Sequence, residues 1–240
     1  CVYLQQPNFY GLLEDIEALE PVIHQAGAKM ILGVNPFAQA IMKTAGEYKA
    51  DIAVGEGQPL GLPLAFGGPY LGFMGCKEEL ARKLPGRIVG ETLDKDGKRA
   101  FVLTLQAREQ HIRREKASSS ICSNQALCAM TASVYMSTMG PQGLQEAARQ
   151  CLAKAHYAAE QISRIPGFEL KFKGEFFHEF VTKCPVDIAE LESRLECEDI
   201  LAGYPLTGEL SGCLLWCCTE MNTKAEIDHL VEVLKEVSGA

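Results

Sequence analysis

The sequence predicts an α/β protein, and three observations carry that prediction. In the first third of the chain, short apolar runs of strand length alternate with runs of helical periodicity. Residues 86–105 then hold two strand-like runs on either side of Asp94-Lys95-Asp96-Gly97, a hairpin signal. From residue 167 onward the elements are short and mixed, as in a compact α+β unit.

Taken in order, residues 2–6 (VYLQQ) read as a strand that stops at Pro7. Leu12, Leu13, Ile16, Leu19, Val22 and Ile23 recur at helical spacing, and Gly27 is the stop signal. Residues 29–34 (KMILGV) form a short buried strand, 36–48 a helix and 50–55 (ADIAVG) another strand. After a glycine-rich stretch, 70–76 reads as a strand and 77–84 (KEELARKL) as a helix. Alternation of this kind implies parallel βαβ units and a sheet covered on both faces.

Beyond the hairpin lies a polar, basic segment, 106–124, in which a helix starts near residues 120–123. A long helical region follows, broken at Gly140-Pro141. Leu144, Ala148, Cys151, Leu152, Ala155, Ala159 and Ile162 line one face of its second part. Residues 168–172 and 176–184 read as strands, 187–196 as a helix and 212–218 as a buried strand. Thr223 to Glu226 fits a capping box, with Ile227, Leu230, Val231 and Leu234 on the apolar face of the last helix. The expected division is 1–125 for an α/β domain and 126–240 for connecting helices and a small α+β domain.

Composition narrows the function classes. A net charge of −8 argues against a general nucleic-acid binder. No apolar run approaches the ~18 residues of a membrane span, and no signal peptide is visible. The ten cysteines include no CxxC pair and no Cys/His cluster at zinc spacing, and several sit in apolar runs such as 213–218. They read as reduced, buried thiols of a cytoplasmic protein, and no metal site is expected. The opening strand reads as the interior of a longer domain.

Two segments concentrate candidate chemistry. Residues 54–73 (VGEGQPLGLPLAFGGPYLGF) hold six glycines and three prolines but no basic residue. Gly67-Gly68-Pro69 suits a tight turn with positive φ. A surface loop is the simpler reading, yet Leu60, Leu62, Leu64, Phe66 and Tyr70 favour burial beside a cofactor or at an interface. In the second segment, Arg108, His111, Arg113, Arg114 and Lys116 precede Ser118, Ser119 and Ser120 at a helix start. Serine hydroxyls, free N–H groups and nearby cations make an anion site, against the plainer reading of a solvated loop with a serine cap. Of the five histidines, His24, His156 and His229 fall on helices as surface or edge residues, and His178 in a strand. His111 alone has charged and polar company. No Ser-His-Asp order or HExxH motif is present.

At these segments the sequence resembles a known family. LPLAFGGPYLGF (62–73), LPGRIVGETLDKDGKRAFVLTLQAREQHIRREKA (84–117) and SICSNQAL (120–127) together resemble the P-proteins of the glycine cleavage system, the glycine dehydrogenases (decarboxylating). The likeness is nearest to subunit 1 of the two-subunit bacterial form and is collinear from residue 5 almost to the C-terminus. It implies the aspartate-aminotransferase fold of pyridoxal-phosphate enzymes (fold type I), with a partial large domain and an α+β small domain. Roughly the first half of the subunit would lie outside this sequence. The family's reaction decarboxylates glycine and passes the aminomethyl group to the lipoyl arm of the H-protein.

That fold implies a lysine for the Schiff base and an aspartate facing the cofactor's ring nitrogen. The aspartate would follow one strand, and the lysine the next, ahead of the glycine-rich loop. Here the first position falls at Leu32, Gly33 or Val34 and the second near Gln58 or Pro59. No lysine occurs between Lys49 and Lys77. The resemblance therefore implies a subunit without a catalytic residue of its own, completing the pyridoxal-phosphate site of subunit 2 in a heterotetramer. Ser118, Ser119, Ser120 and Asn124, with Gly67 and Gly68, are expected near the partner's cofactor. Arg108, His111, Arg113 and Lys116 are expected to shape the entrance, or to meet the substrate carboxylate or the H-protein. Two alternatives remain open: a self-sufficient enzyme using Lys43, Lys49 or Lys77, and an interaction or regulatory module.

Overall fold

The computed structural model describes residues 1–85, 88–104, 110–117 and 125–239. The first sheet has the order β1-β2-β3-β4, with β1 Val2–Gln6, β2 Met30–Val34, β3 Ile52–Glu56 and β4 Gly72–Cys76. The first three strands are parallel, in the register Val2↔Met30 and Ile31↔Ile52. β4 runs antiparallel to β3, Glu56 opposite Gly72. This corrects the all-parallel expectation. A parallel return needs a crossover element. Between β3 and β4 the chain supplies only the glycine-rich stretch, which contains no helix, so the strand comes back in the opposite sense.

Helix α1 (Ile16–Gln25) joins β1 to β2. It begins later than the periodicity predicts because the Asp15 carboxylate accepts from the Ala18 N–H at 3.0 Å and fixes the N-cap there. Its buried face is Ile16 and Ile23, which pack with Met30, Leu32, Ala45 and Ala50; Leu19 and Val22 are exposed. Leu12 precedes the helix and packs instead on the large core of the second half. The next helix, α2, is only Ala38–Ile41, shorter than expected. Asn35 Oδ1 accepts from the Phe37 and Ala38 N–H groups at its start, and Met42 is extended at its end. The segment Glu78–Lys83 is a 3₁₀ helix rather than an α-helix.

The hairpin forms as predicted, β5 Ile88–Leu93 pairing with β6 Arg99–Thr104. A short helix α3 (Gln110–Arg113) leads into a 3₁₀ turn, Arg114–Lys116. Then α4 runs from Ala126 to Ser163 and breaks at Gly140 (φ 64°, ψ 177°), ahead of Pro141. Its second part buries Ala147, Ala148, Cys151, Ala155, Ala158, Ala159 and Ile162. These small residues bring the helix backbone close to its neighbours.

The second sheet is antiparallel throughout, order β7-β8-β10-β9, with β7 Glu169–Leu170, β8 Glu179–Lys183, β9 Tyr204–Pro205 and β10 Cys213–Cys217. Helices α5 (Ile188–Glu196) and α6 (Lys224–Ser238) contact each other, and α6 also packs on α4. The capping box is present: Thr223 and Glu226 each bond the other's backbone N–H. The large core gathers Ile162, Phe180, Leu191, Leu195, Leu214, Trp216, Ile227 and Leu234. Its buried indole is satisfied, since Trp216 Nε1 donates to Thr182 Oγ1 at 2.8 Å. Nine described cysteines are free thiols, five of them buried. No helix among the described residues is long and apolar enough to cross a membrane.

Candidate functional site

The carboxyl ends of β1, β2 and β3 open on a cavity of about 650 Å³. Ligands in open α/β sheets bind at this end of the strands. Each strand contributes its last residues: Gln5 from β1, Gly33 and Val34 from β2, Gly55 and Glu56 from β3. Asn35 follows β2, while Gln58 and Pro59 follow β3. His178 and Glu179 close the cavity from the second sheet. The positions implied for a ring-binding aspartate and a Schiff-base lysine therefore do face one cavity, but they carry Gly33, Val34, Gln58 and Pro59.

Close approach explains two of these residues. A Cβ on Gly33 would lie 2.2 Å from the Tyr3 hydroxyl, and one on Gly55 would lie 2.3 Å from the Phe73 ring and 2.5 Å from the Val34 carbonyl. A side chain at position 33 would have to displace the tip of the exposed Tyr3 ring. The loop beyond β3 is pinned by Glu56, whose carboxylate accepts from the Gln58 N–H at 3.2 Å and the Leu71 N–H at 2.6 Å. The Gln58 side chain is itself engaged, donating to the Leu62 carbonyl at 2.7 Å.

At the tip of the loop, Ala65, Phe66, Gly67 and Gly68 all have positive φ. The turn holds Phe66 fully exposed, and Leu64 is 72% exposed. Gly67 and Gly68 lie outside the cavity lining, although Leu64 and Tyr70 on either side belong to it. Gly61 rests against Tyr135 of α4, where an added Cβ would be 2.7 Å from the ring, so the loop leans on the first part of that helix.

The cavity has an acidic and neutral lining. Burial pushes the Glu179 carboxyl up to about 7 and the His178 imidazole down to about 4, so His178 is uncharged at neutral pH. The His178 Nδ1 atom is buried without a hydrogen-bond partner. A pyridoxal phosphate held here would need a lysine for its covalent bond and donors or cations for its phosphate. Among the described residues the lining contains neither lysine nor arginine, and it presents Glu56 and Glu179 instead. The residues present do not fit that group.

The three lysines considered as substitutes are committed elsewhere. Lys43 pairs with Glu17, Lys49 with Glu20 at 3.4 Å and Lys77 with Asp51 at 2.9 Å. None of them lines the cavity. Asp51 lies at the opposite end of the sheet from the cavity, just before β3, and is buried. It accepts from the Met30 N–H, Lys77, His24 and Lys29. Burial opposes its charge, but these four donors outweigh burial and hold the carboxyl far below the usual range. His24 is thus a half-buried ion-pair partner, while His156 Nε2 meets the Phe176 carbonyl at 2.9 Å and its ring stacks on Phe176.

Of the basic segment, His111 (on α3), Arg113 and Lys116 are exposed and do not line the cavity. Arg108, Ser118, Ser119, Ser120 and Asn124 lie outside the described residues. Sequence reasoning missed Tyr3, Asn35, His178 and Glu179 as lining residues. Their signal was position alone, at strand ends that the topology brings together.

The family model for the glycine cleavage system P-protein matches residues 1–234. A probable glycine dehydrogenase (decarboxylating) subunit 1 from Desulfitobacterium hafniense is 50% identical over 99% of this chain and 54% of its own length. The protein of the same description from Moorella thermoacetica is 52% identical over 98% of this chain and 54% of its own. This chain thus spans about half the length of the curated relatives it matches. A crystal structure of glycine decarboxylase (P-protein) in inhibitor-bound form superposes with a TM-score of 0.94 at 40% identity, over 98% of this chain and 54% of that one. A NifS-like protein from Rickettsia africae (TM-score 0.70, 12% identity, 100% of this chain and 62% of that one) shares the fold. So does mouse CSAD in apo form (TM-score 0.69, 16% identity, 99% and 51%). The fold is that of pyridoxal-phosphate enzymes of fold type I, as the resemblance implied. With the family model matched along nearly the whole sequence and half of all residues shared with these relatives, the chain belongs to the glycine cleavage system P-protein family.

Proposed function

We propose that this chain is part of the non-lysine-bearing subunit of a two-subunit glycine decarboxylase, and that it completes the pyridoxal-phosphate site of subunit 2. The observation that carries the reading is the cavity at the strand ends, whose described lining has no lysine or arginine and which places Gln58 and Pro59 after β3. Relatives at about half identity bear the description subunit 1, which fits a second subunit. Apolar side chains stand exposed on the glycine-rich loop (Leu64, Phe66) and on the first part of α4 (Leu127, Met130, Val134). Exposed apolar side chains of this kind fit a surface that a partner chain covers.

In this reading the assembled enzyme is a cytoplasmic, heterotetrameric oxidoreductase. It decarboxylates glycine and delivers the aminomethyl group to the lipoylated H-protein. The cofactor supplies the electron sink for carbon dioxide loss and is held covalently by subunit 2. Ser118, Ser119, Ser120 and Asn124 would donate hydrogen bonds to its phosphate across the interface, with Gly67 and Gly68 letting the backbone approach. Arg108, His111, Arg113 and Lys116 would offer positive charge to the substrate carboxylate or to an acidic face of the H-protein. Residues 1–125 would form part of the cofactor-type large domain, and 126–240 the connecting helices and small domain.

Reconstitution tests this. Subunit 2 alone should release no carbon dioxide from glycine in the presence of H-protein, and adding the full-length chain should restore release. Replacing Ser118, Ser119 and Ser120 by alanine in the assembled enzyme should weaken cofactor affinity by roughly tenfold or more, the scale of losing one or two charge-assisted hydrogen bonds. Full activity of subunit 2 alone would overturn the assignment; unchanged cofactor affinity would remove the serines from it.

A further inference from the structure

The sequence contains no zinc-ligand spacing, yet folding gathers three ligand-bearing side chains beside the cavity. Glu179 and Cys217 are directly opposite each other in the β8–β10 register, and His178 precedes Glu179. One ligand atom from each of the three lies within 4.8 Å of the other two. We propose that His178, Glu179 and Cys217 form a transition-metal site selective for Zn²⁺-like ions.

Three physical arguments support the site. The ligand set is an imidazole, a thiol and a carboxylate, a mixture that suits tetrahedral Zn²⁺ with one position left over. Zinc ligands sit about 2.0–2.3 Å from the ion, which places tetrahedral ligand atoms roughly 3.3–3.8 Å apart, so a cluster whose ligand atoms lie within 4.8 Å of one another needs to contract by only about 1 Å. The imidazole also lacks a partner. The buried His178 Nδ1 has no hydrogen-bond partner, which costs free energy unless something accepts its lone pair or proton.

A divalent cation would supply that partner. It binds the imidazole in its neutral form. It displaces the thiol proton of Cys217, and that of Glu179 where it is protonated, to solvent. The two negative ligands then balance the ion's charge, and no oxidant or reductant is involved. The proposal concerns this chain's own residues and is independent of the subunit assignment above.

Cobalt is the probe. Full-length chain stripped with chelator and titrated with Co²⁺ should bind one ion and develop a near-ultraviolet sulfur-to-cobalt charge-transfer band, and Zn²⁺ should then abolish that band by displacement. Cys217→Ser should lose the band. His178→Gln should lower the affinity by more than roughly tenfold, the loss that removing even a supporting partner of a metal ligand causes. Cys197→Ser, an exposed thiol outside the cluster, should retain both. Absence of Co²⁺ binding, or a band that survives Cys217→Ser, would overturn the site. If Cys217→Ser fails to fold, Glu179→Gln decides instead: weakened Co²⁺ binding supports the proposal, and unchanged binding refutes it.

Discussion

Asp51 shows how much one side chain can organise. It is 1% exposed and ties the start of β2, the last turn of α1 and the residue after β4 through four donors. Without the carboxylate the buried Met30 N–H loses its acceptor, while His24 and Lys29 keep Glu20 and Glu79, so Asp51→Ala should destabilise the chain by about 1–3 kcal/mol, measured by urea denaturation. His178 and Glu179 make opposite contributions to pH dependence. The histidine's folded value, about 4, lies below its ordinary 6.5, so its share of stability grows as pH rises from about 4 to 6.5. The carboxyl's folded value, about 7, lies above its ordinary 4.5, so its share is full below 4.5 and is lost as pH rises to 7. In metal-free chain, the melting temperature of Glu179→Gln relative to the parent should therefore climb between pH 4.5 and 6.5, and that of His178→Gln should fall over the same range. Neither residue announced itself in the sequence. A lone histidine and a lone glutamate acquire chemistry only when β8 pairs with β10, and Cys217 lies 38 positions further on.

At the level of elements, local signals were readable where they were self-contained. The hairpin at 94–97 and the capping box at Thr223 formed where their residues predicted, because each motif closes its own hydrogen bonds. Periodicity misled where a cap overrode it: Asp15 starts α1 after Leu12 and Leu13, which then serve other parts of the core. The direction of β4 depended on what joins it to β3, and no pattern within β4 reports that. The break in α4 was visible as Gly140-Pro141. With φ 64° and ψ 177°, Gly140 occupies a region that residues with a Cβ avoid. Gly140→Ala should cost about 1–3 kcal/mol, read from equilibrium unfolding, and should redirect the first part of the helix.

For the whole molecule, the fold and family were legible from long, specific runs such as 84–117, and the comparisons agree with them. The site was legible mainly as an absence. Gly33, Val34, Gln58 and Pro59 stand at the ends of adjacent strands and line one cavity, and none is a residue that a covalent cofactor needs. What the sequence did not reveal is the wall opposite, where Tyr3 covers Gly33 and His178 and Glu179 arrive from the second sheet. In the proposed assembly the cofactor's covalent bond belongs to the partner. Borohydride reduction of the assembled enzyme, followed by peptide mapping, locates that bond. One pyridoxyl-lysine per pair of subunits is expected, in subunit 2, with Lys43, Lys49 and Lys77 unmodified. A pyridoxyl group on any lysine of this chain, formed at stoichiometric cofactor, would contradict that assignment.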